Sequence, residues 1–581
     1  MAVSLLDYGA GNVRSVRNAL RFLGCDVRDI TTADEIEAAS VVVFPGVGSF
    51  GSAMQTLRDR NLVDTLRAYI QAGRPFFGVC LGMQTLFHGS AESPGVEGLG
   101  ILPGTVEDFR GQIKVQVPVP HIGWNGIRVN GANPAASFFD PTARVYFVHS
   151  FCVPLSQELG PDVATSTTYG ETEYVSAVAR GNLVATQFHP EKSGGAGLEI
   201  LRRFLATHLP GGSAVPRAMA SVPTSPEAHV DKASTVLAKR IIACLDVRSN
   251  DAGDLVVTKG DQYDVRETSE GGSGRGAVRN LGKPVALAER YYRDGADEVV
   301  FLNITSFRQD VLDDQPMLQV LERASENIFV PLTVGGGIRS YTDATGREWS
   351  ALEVASRYFR AGADKVSLGT DAVRAAEALR AGTHESGTSA IEQISGVYGR
   401  QAVVISIDPR RVYVSDPAEA PGHTVVEAPV PSPDGKNLCW YQATVKGGRE
   451  GRDIDALAVA QECERLGAGE IMLNCIDADG QGRGYEIPLL RAVANAVSIP
   501  VIASSGAGSP SHFHAVFRDT NVQAALAAGI FHRQEVDIQD VKEVLRREGH
   551  AVRVVQEATD AATPVSDAAA AAEAPAATAE N

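Results

Sequence analysis

No stretch of this 581-residue sequence strings together the ~18 apolar side chains that a membrane-crossing helix requires, so a membrane protein is not expected. Cysteine is sparse. The seven, at positions 25, 80, 152, 244, 439, 463 and 475, are scattered, odd in number and never spaced Cys-x-x-Cys, which argues against a disulfide framework and against a zinc site. Basic residues are outnumbered 70 to 53, and the net charge of -17 disfavours nucleic acid or an anionic membrane as partner, leaving room for a local basic pocket for phosphate. Met1 runs directly into the strand-like Val3-Ser4-Leu5-Leu6 without a basic or Arg- and Ser-rich leader, and a reducing cytosol is the expected compartment. Nothing in the sequence asks for a cofactor or a metal.

What is present is length enough for two to four domains. From Val3 to about Leu209 short apolar runs alternate with helical periodicity, as in the β-branched Val41-Val42-Val43-Phe44 and the helical stretch Met54 to Ile70, which suggests an α/β domain. Within it, Pro75-Phe76-Phe77 leads into Gly78-Val79-Cys80-Leu81-Gly82-Met83-Gln84. A cysteine between small residues after an apolar run reads as a nucleophile elbow, with a helix from Leu81 aiming its amides and dipole at the thiol. Taken alone, Cys80 is more readily read as a small buried hydrophobe. Pro45-Gly46-Val47-Gly48-Ser49 can be a substrate-approaching loop or a simple turn. Val184 to Phe188 reads as a strand leading into His189-Pro190-Glu191, where period-2 alternation points the imidazole and the carboxylate the same way. Cys80, His189 and Glu191 then form a nucleophile, base and orienter set.

With both motifs in this order, residues 1–209 resemble the class I, triad-type glutamine amidotransferases. The resemblance implies that Gln84 and Gly48 contact the substrate glutamine and that amides near Val47, Gly48 and Leu81 form the oxyanion hole. Pro120-His121-Ile122-Gly123-Trp124-Asn125 resembles the histidine-pathway branch of that family.

Residues 210–236 shift to Pro, Gly, Ser and Ala and read as a linker of limited order. From 237 to 550, candidate strands at Ile241–Leu245, Glu298–Leu302, Phe329–Val334, Lys365–Leu368, Ala402–Ile407, Glu470–Leu473, Pro500–Ala503 and Ala524–Ala527 alternate with helices, as in a (β/α)8 TIM barrel. An internal repeat supports two half-barrels. Ile242-Ala243-Cys244-Leu245-Asp246 is echoed by Val404-Ile405-Ser406-Ile407-Asp408, and Val334 to Ile338 by Ser504 to Gly508. Asp246 and Asp408 therefore stand at equivalent strand ends across the mouth, placed for general acid and general base work, although either alone could be a helix cap or turn former. Paired glycine-rich turns imply two phosphate sites. Residues 551–581 read as an Ala-rich disordered tail.

The stretches Ala238 to Val247, Thr333 to Ile338, Ala363 to Ser367 and Gly467 to Ile471 resemble the cyclase subunit of the imidazole glycerol phosphate synthases, and the whole chain resembles the fused, bifunctional fungal form. That resemblance implies a glutaminase whose ammonia is channelled to the barrel. There it converts a bis-phosphorylated nucleotide, phosphoribulosyl-formimino-aminoimidazole-carboxamide ribotide, to imidazole glycerol phosphate and aminoimidazole-carboxamide ribotide in histidine biosynthesis, with no separate glutaminase subunit. Carried over by position, Asp246 and Asp408 are the acid/base pair and Lys259 lies on the loop after strand one. Gly337, Gly369 and Thr370 line one phosphate site; Asp479, Gly480, Gly506, Ala528 and Gly529 lie near the other. Arg240, Glu298, Lys365 and Glu470 at the strand starts are implied as the ammonia gate, with ordinary surface pairs as the alternative.

Two positions depart from the family pattern: Ser505 replaces a frequent glycine and Asn474 a frequent threonine. Tyr263 to Val278 reads as a lid, and the proline-bearing Val412 to Lys436 is a long loop without a functional account. Two other readings remain: another glutaminase–barrel pairing such as pyridoxal phosphate synthesis, which would use lysine Schiff bases, and a non-catalytic scaffold.

Overall fold

The computed structural model describes residues 2–9, 11–46, 48–115, 117–209, 235–249, 255–257, 283–303, 315–343 and 345–555. Val47, Lys259, the Tyr263 to Val278 segment, most of the expected linker (210–234) and the tail from 556 lie outside the described residues.

The N-terminal α/β unit is built on a mixed sheet. Strands Asp26–Ile30, Ala2–Leu6, Val42–Phe44, Phe76–Val79 and Leu183–Thr186 run parallel in that spatial order, and Thr172–Arg180, Val163–Tyr169 and Arg128–Val129 continue it antiparallel. Val41, Val42, Val43 and Phe44 are fully enclosed, as a continuous apolar strand covered on both faces should be. The decisive pairing sets Val79 beside Thr186, and the Cys80 amide extends it by donating to the Thr186 carbonyl at 2.7 Å. Two segments a hundred residues apart thus end side by side at the carboxyl edge of the sheet, where open α/β sheets form their crevices.

Three local expectations need correction. The helical stretch from Met54 to Ile70 is two helices, Phe50–Asp59 and Val63–Gln71, separated at Asn61, which takes a left-handed φ of 56° that asparagine tolerates better than most residues. Val412 to Lys436 is no irregular loop: strands Pro409–Val414, Val425–Glu427, Leu438–Val445 and Glu450–Asp455 form an antiparallel sheet, with the prolines falling between strands. Residues 551–555 are packed rather than part of a tail. Lys239 N–H donates to the Ala551 carbonyl at 2.8 Å, and Val552, Arg553 and Val555 are buried.

The second unit is a closed barrel of eight parallel strands: Arg240–Ser249, Glu298–Asn303, Leu332–Gly335, Lys365–Leu368, Val403–Ile407, Glu470–Asn474, Val501–Ser504 and Ala524–Ala527, strand one closing on strand eight. Period-2 alternation builds its interior in layers. Along strand one, Arg240, Ile242, Cys244 and Asp246 share one face. Ile242, Cys244, Val300, Val404, Met472, Ile502, Ala524 and Leu526 form an apolar cluster between the charged strand starts and the polar mouth.

The α/β unit docks on the amino-terminal ends of these strands. Trp124 Nε1 donates to the Asp297 carbonyl at 3.1 Å, Arg553 lies over the Trp124 ring at 4.2 Å, and Lys192 pairs with Asp364 at 2.7 Å. Ser49 N–H donates to Val397 O and Gly194 N–H to Phe329 O. None of the described helices is long and apolar enough to cross a membrane.

Close packing of helix Gly194–His208 on the turn at Pro190 makes one position intolerant. A β-carbon on Gly197 would sit 1.9 Å from the Pro190 carbonyl oxygen. Gly197→Ala is expected to cost about 1–3 kcal/mol by thermal or denaturant unfolding, and an unchanged midpoint would show the contact to be loose.

Candidate active site

Cys80 occupies a strained φ of 50° and ψ of -104° between strand Phe76–Val79 and helix Leu81–Gln84. Such strain at a buried thiol persists only where the surroundings impose it. Here they do: a β-carbon on Gly46 would meet the Gly82 amide at 2.4 Å, and one on Gly82 the Phe44 carbonyl at 2.3 Å, so the elbow is wedged between backbones that only glycine admits. The expected helix does begin at Leu81, but it is only four residues long. A helix this short carries little of the dipole expected at the thiol.

His189 meets Glu191 by a different route from strand alternation. The strand ends at Thr186, and Pro190 opens a tight 3₁₀ turn through Lys192 that folds the carboxylate back, Oε1 lying 2.8 Å from Nδ1. Both side chains are buried, and the ring lines the same cleft as the Cys80 thiol. Burial alone would disfavour imidazolium, yet the charges of Glu191 and the Cys80 sulfur outweigh it and hold His189 protonated well above its ordinary range. The arrangement can keep a nucleophilic sulfur beside a proton donor.

The cleft at Cys80 is shared between the two units. Gly46, Gly48, Leu81, Gln84, Glu92 and His189 line it from one side, and Asp364, Lys365, Gln401 and Ala402 from the barrel. Gly48, Leu81 and Gln84 line the same cleft as the thiol. Glu92, Lys192, Tyr146 and Gln401 escape a reading of the sequence, because no motif marks them and Gln401 arrives from the other unit. Glu92 accepts the Phe50 amide at 2.7 Å, and burial pushes its carboxyl above the usual range.

Directly below lies a ring of buried charge. Arg240 bonds Glu298 at 2.8 Å and also Glu470, while Lys365 bonds Glu298 and Glu470 at 2.7 Å each. The four side chains are at most 1% exposed, which removes the alternative of ordinary surface pairs. Burial pushes the Glu470 carboxyl up, but Arg240 and Lys365 prevail and hold it below the usual range.

At the opposite end, the two aspartates differ. Burial and the nearby Asp479 charge raise Asp246 to about 7. Burial raises Asp408 as well, but Asn474 Nδ2 donates to its Oδ1 at 2.9 Å and, with Ser406, offsets part of the rise. Gly337 and Gly506 take left-handed φ values of 76° and 97°, and Ser505, replacing the expected glycine, accepts 70°. Gly369 precedes helix Thr370–Arg380 and Ala528 precedes the short helix Gly529–His532, whereas Gly480 sits in the turn after strand six. Among the described residues no group of three His, Cys, Asp or Glu side chains could hold a metal ion.

Residues 4–207 match the family described as Glutamine amidotransferase class-I, and residues 240–537 the family described as Histidine biosynthesis protein. Over 552 residues the chain is 53% identical to the chloroplastic imidazole glycerol phosphate synthase of Arabidopsis thaliana, covering 95% of this chain and 89% of that one. It is also 53% identical to the imidazole glycerol phosphate synthase of Schizosaccharomyces pombe, covering 94% and 98%. The chain belongs to the imidazole glycerol phosphate synthase family.

Within this family, the barrel alone is 40% identical over 319 residues to the HisF subunit of the synthase of Methanobrevibacter smithii, which it covers completely. The chain is thus a fused synthase, a glutamine amidotransferase and a cyclase barrel of the histidine pathway in one polypeptide, and needs no separate amidotransferase subunit. In such a fusion the ionic ring ties the barrel floor together. Glu470→Gln, which leaves Arg240 and Lys365 sharing a single carboxylate, is expected to lower stability by about 3–5 kcal/mol in denaturant unfolding; a loss below ~1 kcal/mol would mean that the ring is hydrated.

Proposed function

We propose that the two sites work in series, and one observation carries the reading: Lys365 lines the Cys80 cleft and is also a member of the ionic ring that floors the barrel. Units spanning residues 1–209 and 237–555 share this wall.

In the first site the Cys80 sulfur attacks the side-chain amide carbon of L-glutamine, and amides near Gly48 and Leu81, together with the undescribed Val47, receive the oxyanion. His189, held charged by Glu191, protonates the leaving nitrogen, ammonia departs and a thioester remains. Water then attacks the thioester with His189 as base, releasing glutamate and regenerating the thiol. Gln84 and Gly48 hold the glutamine. Ammonia passes the gate of Arg240, Glu298, Lys365 and Glu470 and enters the layer of Ile242, Val300, Val404, Met472 and Ile502. An apolar layer favours neutral NH3 over ammonium, because an unpaired charge there would be strongly disfavoured.

At the mouth, NH3 meets phosphoribulosyl-formimino-aminoimidazole-carboxamide ribotide. Asp246, protonated near neutrality, acts as general acid, and Asp408, held more ionised by Asn474, as general base, giving imidazole glycerol phosphate and aminoimidazole-carboxamide ribotide. Gly337, Gly369 and Thr370 take one phosphate. Asp479, Gly480, Gly506, Ala528 and Gly529 border the other, with Lys259 on the loop beyond strand one. A reducing compartment fits the seven free cysteines.

Cys80→Ala is expected to abolish glutamine-dependent turnover and to spare turnover with ammonium salt; loss of both in a folded variant would refute the serial scheme. Asp246→Asn is expected to stop cyclisation while glutaminase chemistry survives, measured as glutamate release. With free NH3 held constant, cyclisation should fall above about pH 7 as Asp246 loses its proton, and fall on the acid side as Asp408 gains one. Asn474→Leu removes a hydrogen bond that lowers the Asp408 value, so its acid limb should move to higher pH. An unmoved limb would take the base role from Asp408.

A further inference from the structure

Gln187 takes no part in the steps above, yet its side chain touches the reacting sulfur. It follows strand Leu183–Thr186, is fully buried, and spends its backbone N–H on the Ser176 carbonyl. Its Nε2 donates to Cys80 Sγ at 3.4 Å. A side-chain amide could present nitrogen or oxygen to the sulfur, and its neighbours decide which. Gln84 Nε2 donates to Gln187 Oε1 at 3.1 Å and to the Phe151 carbonyl at 3.2 Å, so turning the Gln187 amide over would set two donors face to face.

The same logic runs outward through buried groups. A carbonyl only accepts, so His149 Nδ1, 2.7 Å from Phe151 O, carries the proton and leaves Nε2 as acceptor for the Tyr174 hydroxyl at 3.4 Å. The Tyr174 oxygen then accepts from His121 Nδ1 at 3.1 Å, and His121 Nε2 from Asn125 Nδ2 at 3.4 Å. Asn125 is itself oriented by Gly126 N–H on its Oδ1 at 2.8 Å. Burial keeps both His121 and His149 neutral, as the chain requires. It begins on strand His121–Gly126, the strand whose Trp124 is bonded to the barrel.

We propose that Gln187 is a further catalytic residue of the glutaminase site, donating a hydrogen bond to the Cys80 sulfur, and that Gln84, whose own amide is fixed by the Phe151 carbonyl, keeps the donor end of the Gln187 amide on that sulfur. The donor stabilises thiolate before attack and again when the thioester breaks. This rests on Cys80 being the nucleophile.

The test uses the full chain. Gln187→Met keeps the length and removes the donor. The expected result is a kcat with glutamine lowered about 10- to 100-fold, a KM changed less than ~3-fold, and alkylation of Cys80 by iodoacetamide slowed by about 10-fold or more. Ammonium-driven cyclisation should remain within ~2-fold of the parent, reporting an intact fold. Gln84→Met, which removes the group that orients the Gln187 amide, should slow alkylation by about 2- to 5-fold. Unchanged kcat and alkylation in Gln187→Met, or a loss confined to KM, overturns the proposal; unchanged alkylation in Gln84→Met overturns the orienting role of Gln84. Should Gln187→Met lose ammonium-driven turnover as well, Gln187→Glu decides, since it keeps an acceptor for Gln84 without the amide donor: a lowered kcat supports the assignment and a parental kcat overturns it. Cys80→Ala measured in parallel separates the two readings. If it still consumes glutamine, the nucleophile assignment falls; if it is inactive while Gln187→Met behaves as the parent, only the role of Gln187 falls.

Discussion

Four charges buried at one level of the barrel, Arg240, Glu298, Lys365 and Glu470, impose the constraint on which the architecture depends. Removing such groups from water is tolerable only if each finds its counter-ion with good geometry. The alternating ring supplies those partners, and it can exist only if strand one closes on strand eight and the α/β unit covers the strand starts. Barrel closure and docking are one problem in electrostatic compensation. The cleft at Cys80 shares Lys365 with that ring, so the barrel completes the wall of that cleft.

A second constraint is the parallel pairing of Phe76–Val79 with Leu183–Thr186. It brings Cys80 and His189 to one sheet edge despite the length of chain between them, and the Cys80 amide bond to Thr186 O fixes the register at the point where φ turns positive. Glycine contacts at 46 and 82 hold the strained elbow in place. Strain here is paid once, by packing, and leaves the sulfur facing both an imidazole and the amide of Gln187.

The two half-barrels carry Asp246 and Asp408 toward the same mouth, Asp246 within strand Arg240–Ser249, which runs on past the expected end, and Asp408 directly after Val403–Ile407, and their surroundings differ further. Asp246 feels Asp479, whereas Asp408 is hydrogen-bonded by Asn474. Asn474 thereby helps to separate the proton affinities of the two carboxyls.

Much was legible without coordinates, because local rules govern it. Alternation of apolar runs with helical periodicity marked the α/β unit and all eight barrel strands within a few residues, and the duplicated strand-aspartate pattern marked the mouth. Glycines around Cys80 and the residues 189 to 191 marked the elbow and its partners, although the His189–Glu191 contact arises from a proline-initiated turn rather than from strand alternation. What stayed hidden depended on distant chain. The sheet inserted at Pro409–Asp455 was masked by prolines in its turns, and Glu92, Gln401 and Gln187 carry no local signature. The sequence by itself determined the element types, the layering of each strand's faces and the chemical kinds of groups at the strand ends, since these follow from backbone periodicity and side-chain identity. Only the tertiary structure decided which charges are buried together, which carboxyl keeps its proton and which end of the Gln187 amide faces the sulfur, because burial and hydrogen-bond direction are properties of neighbours that the chain order does not name.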